Sequence, residues 1–517
     1  PYFEPRNLPI ALLTLDELRT LESRAAASLP PNTLMARAGA AAAQFIADSP
    51  NHSPALAARP VWIAAGPGNN GGDALVVAAR LKTAGIDAHV CMPVEVKPDD
   101  AKWALAEARQ AGVTITTDIP TSFDNFGWLV DGLFGIGVGR PLEGVFADIA
   151  ARMSKRSRAS GGVLALDIAS GLSSDTGEPV SRTNDGRALA VRATHTMTFI
   201  GGKPGHFTGD GRDLTGRLFI ADLGIAPPMQ PSVMLNATPL FRGLFPPRDF
   251  ATNKGTFGTL AVVGGDTGMC GAPILAARMA LYGGAGKVNV AFIGTDSPPY
   301  DPPHPELMLH HVDQLPLDKM TALAVGCGMG QSERAKKMLL DVLALDVSKL
   351  LDADALNLIS SDEKLAAKVT ECGNSGNPCV LTPHPLEAAR LLGTDVKKVQ
   401  ADRIAAAQHL AARFSAVAVL KGTGTIVASP DGRLSINPTG NAALASGGTG
   451  DVLGGLIGAF LAQSLPPYEA ALAGVYLHGL AAETLTAEGQ GPAGLTAGEL
   501  APKVRSLLNR MFYAAKT

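Results

Sequence analysis

The sequence is poor in most of the features that mark secreted, membrane-embedded or nucleic-acid-binding chains. Aromatic residues make up 5% and charged residues 18% of its 517 positions. Five cysteines (Cys91, Cys270, Cys327, Cys372 and Cys379) are an odd number with no C-x-x-C pair. That excludes a disulfide framework and a zinc-finger spacing, and a reduced, cytoplasmic setting is expected. Lys and Arg number 44 against 47 Asp and Glu, so the net charge is 44 − 47 = −3. No basic footprint for a nucleic-acid partner exists. The most apolar stretches are interrupted by Gly, Lys or Asp too often to cross a membrane. The opening PYFEPRNLPI lacks the basic-then-apolar pattern of a secretory signal. His304, His310, His311 and His478 have no ligand spacing and read as surface or core residues.

What is abundant is glycine, 58 residues, with 46% hydrophobic residues. The glycines gather in loops after apolar runs, the habit of α/β proteins that bind phosphates. The length exceeds one ordinary core, so two domains are expected. No repeat with a period of about 20–50 residues is present. Six prolines between positions 226 and 250 place the boundary. The domains expected are residues 1–228 and 251–517, with 229–250 as a linker.

Residues 10–47 read as helices, rich in alanine. The apolar run Val61–Ala65 is followed by GPGNNGGD and a helical ALVVAARLKTAG. Gly66, Gly68 and Gly71 fit G-x-G-x-x-G, and Asp87 lies at a plausible spacing for a ribose contact, the fingerprint of a dinucleotide fold. Asn69, Asn70 and Asp73 are odd in a pyrophosphate cradle. They offer oxygen ligands to a cation or polar contacts to a ligand carrying its own phosphates, or else a turn and a helix cap. The strands Trp128–Asp131 and Val163–Asp167 each end in an acid. Ligands collect beyond the carboxyl ends of parallel strands, so Asn70, Asp131 and Asp167 are expected to face one crevice.

The second half repeats the strand–loop–helix design: Thr259–Val263, Lys287–Phe292, Ala322–Val325, Lys349–Asp352, Cys379–Thr382 and Val417–Leu420. The decisive stretch is Asn437–Gln463, NPTGNAALASGGTGDVLGGLIGAFLAQ. Gly447, Gly448 and Gly450 leave backbone N–H groups open to an anion, and apolar residues from Val452 onward recur at helical spacing. Phosphate binds readily at such a helix start. Asp451 there is either a helix cap or a proton carrier. His384, between two prolines at a strand end, is either a site residue or a helix entry.

Several motifs together resemble a known family. PGNNGGD at 67–73, VDGLFGIGVGRP at 130–141 and ALDIASGLSSDTGE at 165–178 are similar to the epimerase domain of the NAD(P)H-hydrate repair proteins. NKGTFGTLAVVGGDTGMCGAPILAARMAL, LDADALN, LTPHPLEAARLL, LKGTGT and GNAALASGGTGDVLGGLIGAFLAQ resemble their dehydratase domain, within the ribokinase-like superfamily. GTGD alone says only ribokinase-like, but NNGGD with DIASGL in one chain is far more specific. The resemblance covers all but the ends and the linker. It departs at GCGMG, where Cys327 and Met329 replace an expected Pro and Leu. Cys327 reads as a packed thiol.

The resemblance implies an N-terminal Rossmann-like three-layer α/β/α domain and a C-terminal ribokinase-like α/β domain. The first would interconvert the R and S hydrates NADHX and NADPHX, with Asp167 as acid/base. Substrate would lie on Asn69, Asn70, Gly71, Gly72, Asp73, Gly135, Ile136, Gly137, Val138, Gly139, Arg140, Pro141 and Asp167. Potassium would sit on Asn70, Asp131 and Ser170. The second would dehydrate the S hydrate with ADP or ATP and Mg²⁺. There substrate would meet Ala272, Gly328, His384 and Asp451, and the adenine nucleotide would meet Lys421, Gly422, Thr423, Gly424, Thr425 and Gly450. Asp451 would be the base. A homo-oligomer is expected. Competing readings are a ribokinase-like small-molecule kinase with a regulatory N-terminal domain, a non-catalytic nucleotide-binding module, and a dehydrogenase. The dehydrogenase fares worst because NNGGD crowds the pyrophosphate position.

Overall fold

The computed structural model describes residues 1–48, 59–137, 139–156 and 161–513. It divides into two compact units, Pro1–Arg6 with Ile10–Val233 and Asn7–Pro9 with Met234–Thr517. Both are α/β, as the alternation of apolar runs and amphipathic segments requires.

The first unit holds a seven-stranded sheet. Its strands are β1 (Val61–Ala65), β2 (Ala88–Cys91), β3 (Thr114–Thr116), β4 (Trp128–Gly132), β5 (Gly162–Leu166), β6 (His195–Phe199) and β7 (Arg217–Ala221). The order is β3-β2-β1-β4-β5-β6-β7, parallel throughout. The chain therefore reverses direction across the sheet between β1 and β4, which opens a crevice above their carboxyl ends. Helices α1 (Leu15–Ser28), α2 (Thr33–Asp48), α3 (Asn69–Thr83) and α4 (Asp99–Gln110) contribute to one apolar core, which takes Val61 and Ile63 from β1. Helix α5 (Gly144–Ser154) covers the other face, where Trp62 and Ala64 point. Alternate residues of one strand thus serve opposite faces, giving three layers. The helical stretch expected over 10–47 is two helices, α1 and α2.

In the second unit β8 (Val233–Leu235) is followed by β9 (Thr259–Gly264), β10 (Lys287–Phe292), β11 (Met308–His311), β12 (Ala322–Val325), β13 (Ser348–Leu351), β14 (Val380–Leu381), β15 (Val417–Leu420), β16 (Ile426–Ala428) and β17 (Leu434–Ile436). The sheet runs β8-β17-β16-β15-β14-β13-β12-β9-β10-β11. From β15 to β11 it is parallel, and β16 is antiparallel to both its neighbours. Helix α8 (Thr449–Ala462) packs on this sheet between α6 (Gly271–Tyr282) and α9 (Pro467–Ala487). It is buried along almost its whole length, which suits a helix apolar on every side. A Cβ on Gly455 would collide with the carbonyl of Ala276, so glycine there lets α8 and α6 approach backbone to backbone.

The segment expected as a linker, 229–250, is built into the second unit from Met234 onward. Met234 and Leu235 pair with Ser435 and Ile436 of β17. Phe241 and Phe245 are 1% and 5% exposed within the second core. Phe245 packs edge-on to Phe460 of α8 at 5.2 Å. Prolines at strand and turn edges made this stretch read as a spacer, but its aromatic residues are core. Phe241→Ala should therefore destabilise the second unit by about 3–5 kcal/mol, the usual cost of emptying a buried aromatic site. Urea unfolding of the full chain checks this, and a loss under about 1 kcal/mol, ordinary for an exposed linker position, would sink the packing account.

Candidate active sites

The crevice of the first unit is a cavity of about 590 Å³. Its walls come from α1 (Arg19, Glu22), the start of α3 (Asn69, Asn70, Asp73), the loop after β4 (Leu133–Gly137) and the strand ends carrying Asp167 and Phe199. A Cβ on Gly71 would collide with the carbonyl of Gly66, and one on Gly66 with that of Leu133. The glycines of the fingerprint thus serve close backbone packing beneath the cavity.

Asp167 follows β5 with a positive φ of 65°, a strained position for a residue other than glycine. Its backbone is tied down on both sides. Its N–H donates to Met197 O at 2.7 Å, and its carbonyl lies 3.0 Å from His206 Nε2. Its side chain ion-pairs with the fully buried Lys203. Asp73 and Glu22 face it across the cavity. Burial first, then the charges of Asp167 and Glu22, pushes the Asp73 carboxyl well above the usual carboxylate range. Burial followed by Asp167 raises Glu22, with Lys203 and Arg19 opposing. Asp73 is the fifth residue of α3, whose N-cap is Gly68, so it is no helix cap.

Asp131 is wholly buried in β4. Its Oδ2 accepts from Ser170 N at 2.8 Å, and its Oδ1 from Ser170 Oγ at 2.6 Å and Leu133 N at 3.2 Å. Burial still pushes this carboxyl up to about 6. Asn70 is 6% exposed, and both its side-chain amide atoms are buried without a hydrogen-bond partner. Such orphans are rare, because an unmade buried hydrogen bond costs about 1–3 kcal/mol.

Among the residues expected at this site, Asn69, Asn70, Asp73, Gly135, Ile136, Gly137 and Asp167 line the cavity. Gly71 and Gly72 lie buried beneath it in α3. Gly139, Arg140 and Pro141 are exposed and outside its lining, and Val138 lies outside the described residues. Two expectations are corrected. Asp131 does not face the crevice with Asn70 and Asp167 but is sealed below it by Ser170. Asp87 precedes β2, at the amino ends of the strands, and pairs with Lys82 at 2.8 Å and His89 at 2.9 Å, which puts it at the wrong end for a ribose.

In the second unit four adjacent strands deliver the candidate residues: Cys327 follows β12, Asp352 β13, His384 β14 and Lys421 β15. Lys421 Nζ donates to Asp352 Oδ1 at 2.9 Å, and Asp352 is 2% exposed. Burial pulls the Lys421 ammonium down, but the carboxylates of Asp352 and Glu387 outweigh it and the net shift is upward. The N-cap of α8 is Gly448, with φ 87° and no side-chain cap bond, and Asp451 is the helix's third residue. The cap reading of Asp451 is thereby removed. Burial raises its carboxyl, with a Cys327 hydrogen bond opposing. Cys327 is a packed thiol as expected, 1% exposed and pushed well up by burial and then by Asp451. A Cβ on Gly450 would sit 3.4 Å from Lys421 Nζ, so the helix start and the lysine share one space.

His384 is the N-cap of helix α7 (Pro385–Leu392), accepting from Leu386 N at 3.1 Å, with His384 N donating to Glu387 Oε2 at 2.8 Å. The helix-entry role is thus real, and the half-exposed ring keeps Nε2 3.3 Å from Glu387 Oε1. Burial and then Lys421 hold this imidazole below its ordinary range, while burial pushes Glu387 up to about 7. A Cβ on Gly328, at φ 57°, would lie 3.5 Å from Ala272 Cβ, so these two expected residues adjoin. Gly422 and Gly424 both have positive φ, and Thr425 Oγ1 donates to Gly422 O at 3.2 Å, closing the tight turn after Lys421. His478 is core, 6% exposed.

Sequence reasoning missed Lys203, His206 and Asp352. GGKPGH belongs to none of the motifs singled out in the sequence, and LDADALN was noted without its acid being given a partner. The available signal was positional: each follows a strand at the end where Asp167 or Lys421 lies.

A two-domain α/β chain with a charged pocket above one parallel sheet, and an aspartate in the first turn of a glycine-capped helix above the other, defines a class of nucleotide-handling enzymes. Residues 260–504 match the family model described as NAD(P)H-hydrate dehydratase, and residues 31–205 match that of the YjeF-related protein N-terminus. The bifunctional NAD(P)H-hydrate repair enzyme Nnr of Escherichia coli (strain K12) is 36% identical over 98% of this chain and 95% of its own. The ADP-dependent (S)-NAD(P)H-hydrate dehydratase of Neisseria meningitidis serogroup B is 48% identical over 54% of this chain and 94% of its own. A crystal structure of the Bacillus subtilis ADP/ATP-dependent NAD(P)H-hydrate dehydratase is 32% identical, covers 53% of this chain and 98% of its own, and superposes with a TM-score of 0.45. The chain belongs to the family of bifunctional NAD(P)H-hydrate repair enzymes.

Removing one partner of a buried ion pair strands the other charge. Lys421→Met should lower stability by about 3–5 kcal/mol in urea unfolding, and adding Asp352→Asn should recover part of that. A double-variant loss equal to the sum of the Lys421→Met and Asp352→Asn losses would show that the pair is not coupled.

Proposed function

We propose that the chain repairs hydrated nicotinamide cofactors in two steps, residues 1–228 epimerising R- and S-NAD(P)HX and residues 251–517 dehydrating the S form with ADP or ATP. The observation that carries this reading is Asp451: it sits past the Gly448 cap, free of capping duty, beside Lys421 and the open N–H groups of a helix start.

In the second domain the hydrate's hydroxyl is a poor leaving group. Asp451 takes its proton as the oxygen attacks the terminal phosphorus of the nucleotide, releasing AMP from ADP. The phosphorylated hydroxyl then leaves as phosphate, with loss of a proton from the neighbouring ring carbon, and NAD(P)H results. The Gly447–Gly450 N–H groups and Lys421 stabilise charge on the moving phosphoryl group. The turn Lys421–Thr425 with Gly450 holds the nucleotide, and Ala272, Gly328 and His384 border the hydrate. Mg²⁺ is the ordinary bridging ion for such phosphates.

In the first domain the hydroxyl sits on the ring carbon next to nitrogen. It leaves as water when a carboxylic acid protonates it, and water re-adds to the other face as a carboxylate takes its proton. Asp73, its carboxyl raised by burial, suits the first task, and Asp167 the second. Substrate reaches them past Asn69, Asn70 and the loop Gly135–Pro141. Potassium fits Asn70, Asp131 and Ser170: all donors are oxygens, and the orphaned Asn70 amide needs a partner. The ion would compensate the buried Asp131 charge. A cytoplasmic location and a homo-oligomer complete the reading.

Incubation with NADHX and ADP should restore NADH absorbance with AMP released. A stable phosphorylated product would instead identify a small-molecule kinase. Asp451→Asn should lose about 10²–10⁴-fold in dehydration while retaining nucleotide binding by calorimetry. Potassium should raise the melting temperature relative to sodium, and more at pH 7.5 than at pH 5. The raised Asp131 pKa means the folded state binds its proton more tightly than the unfolded chain, so stability falls as pH rises through about 6, and a bound cation offsets that fall. Identical melting in both salts would remove the cation from these residues.

A further inference from the structure

Resting on the reading of Asp167 as the epimerase base, we infer that Lys203 and His206 are positioning residues that make Asp167 a one-sided base, with Oδ1 fully engaged and Oδ2 alone offered to substrate. Three donors converge on Oδ1: the Lys203 ammonium, Thr198 Oγ1 at 3.0 Å and Phe199 N at 3.2 Å. No hydrogen bond of the described residues reaches Oδ2, on a residue that lines the cavity. The Lys203 ammonium has three N–H donors and three acceptors, Asp167 Oδ1, Thr198 Oγ1 at 2.6 Å and Phe199 O at 2.9 Å. It is wholly buried and does not line the cavity. Lys203 is therefore a fixed counter-charge rather than a proton carrier.

His206 completes the arrangement. Its Nδ1 accepts from Lys203 N at 3.2 Å, which assigns the proton to Nε2, 3.0 Å from the Asp167 carbonyl. One neutral ring thus ties the lysine's backbone to the strained backbone of the base. Burial and then the Lys203 charge hold this imidazole down at about 3, so it stays neutral across the working range. The charged and titratable groups facing Asp167 or lining its cavity are Arg19 and Glu22 from α1, Asp73 from α3, Asp100 from α4, and Lys203 and His206 from the segment after β6. Without Lys203, Asp167 would share the cavity with three further carboxyl groups, Glu22, Asp73 and Asp100, and one arginine, and its carboxylate would lose its bound counter-charge.

The test is the pH profile of R-to-S epimerisation by the full-length chain. Lys203→Met should cost about 100-fold in kcat/KM at pH 7. The acid limb should move up by about one unit or more, so that activity partly returns at pH 9, with KM changed less than about threefold. Lys203→Arg should restore the wild-type limb even where it does not restore the full rate. His206→Gln should lower kcat without moving the limb. Where Lys203→Met fails to fold, as judged by its melting curve, Thr198→Val removes a second donor to Oδ1 and should shift the limb in the same direction. An unmoved acid limb in the lysine variant, or in the threonine variant where that one is used, or a loss confined to KM, overturns the inference. Full epimerase activity in Asp167→Asn, or none in the wild type, would instead overturn the reading beneath it.

Discussion

Each unit depends on a buried aspartate held just past the carboxyl end of a parallel strand, with a lysine from a strand end one or two places along the sheet as its counter-charge. Asp167 after β5 meets Lys203 after β6, and Asp352 after β13 meets Lys421 after β15. Ionised groups at such depth are tolerated only when paired and hydrogen-bonded. The pairing also fixes where the rest of each site must be. A lysine bound by Asp352 stands under the helix start that carries Asp451, and a lysine bound by Asp167 leaves one carboxyl oxygen for chemistry.

The two lysines are used differently, and geometry decides it. Lys203 has all three donors occupied by protein oxygens and stands outside the cavity lining, so it can only set the state of Asp167. Lys421 has one protein oxygen on its ammonium and keeps 19% of its side chain exposed beside Gly450. An ammonium with donors to spare at a helix N-terminus is equipped to meet a phosphoryl oxygen. The same residue type after the same kind of strand is therefore saturated by protein oxygens in one unit and keeps donors to spare in the other.

The fold class was legible because β strands ended in glycine loops and α helices followed at regular intervals, and the placement of Asp167 at a strand end and of Asp451 at a helix start was legible because both occupy the joints. Lys203, His206 and Asp352 were not, for a physical reason. Their partners are 36, 39 and 69 residues away in sequence, and no local pattern announces a pairing made by sheet order. Asp131 was misplaced for the converse reason. A strand-end acid looks the same in sequence whether it faces solvent or is sealed by the loop above, and here Ser170 seals it. Phe241 was misread because proline density was weighed above an aromatic residue that has a core to fill.

Asp131 then stands as the exception that clarifies the pairing rule. It is the most deeply buried of these aspartates and no lysine reaches it; hydrogen bonds from Ser170 and Leu133 are what it has, and they leave its carboxyl raised to about 6. The Asn70 amide of the same unit is orphaned at both oxygen and nitrogen, and Asp131 itself is ionised at a cost at neutral pH. A lysine there would need a side-chain path through β4 and its neighbours, which the close-packed core denies. The electrostatic need that lysines meet at Asp167 and Asp352 is met at Asp131 by the Ser170 hydroxyl and the backbone N–H groups of Ser170 and Leu133.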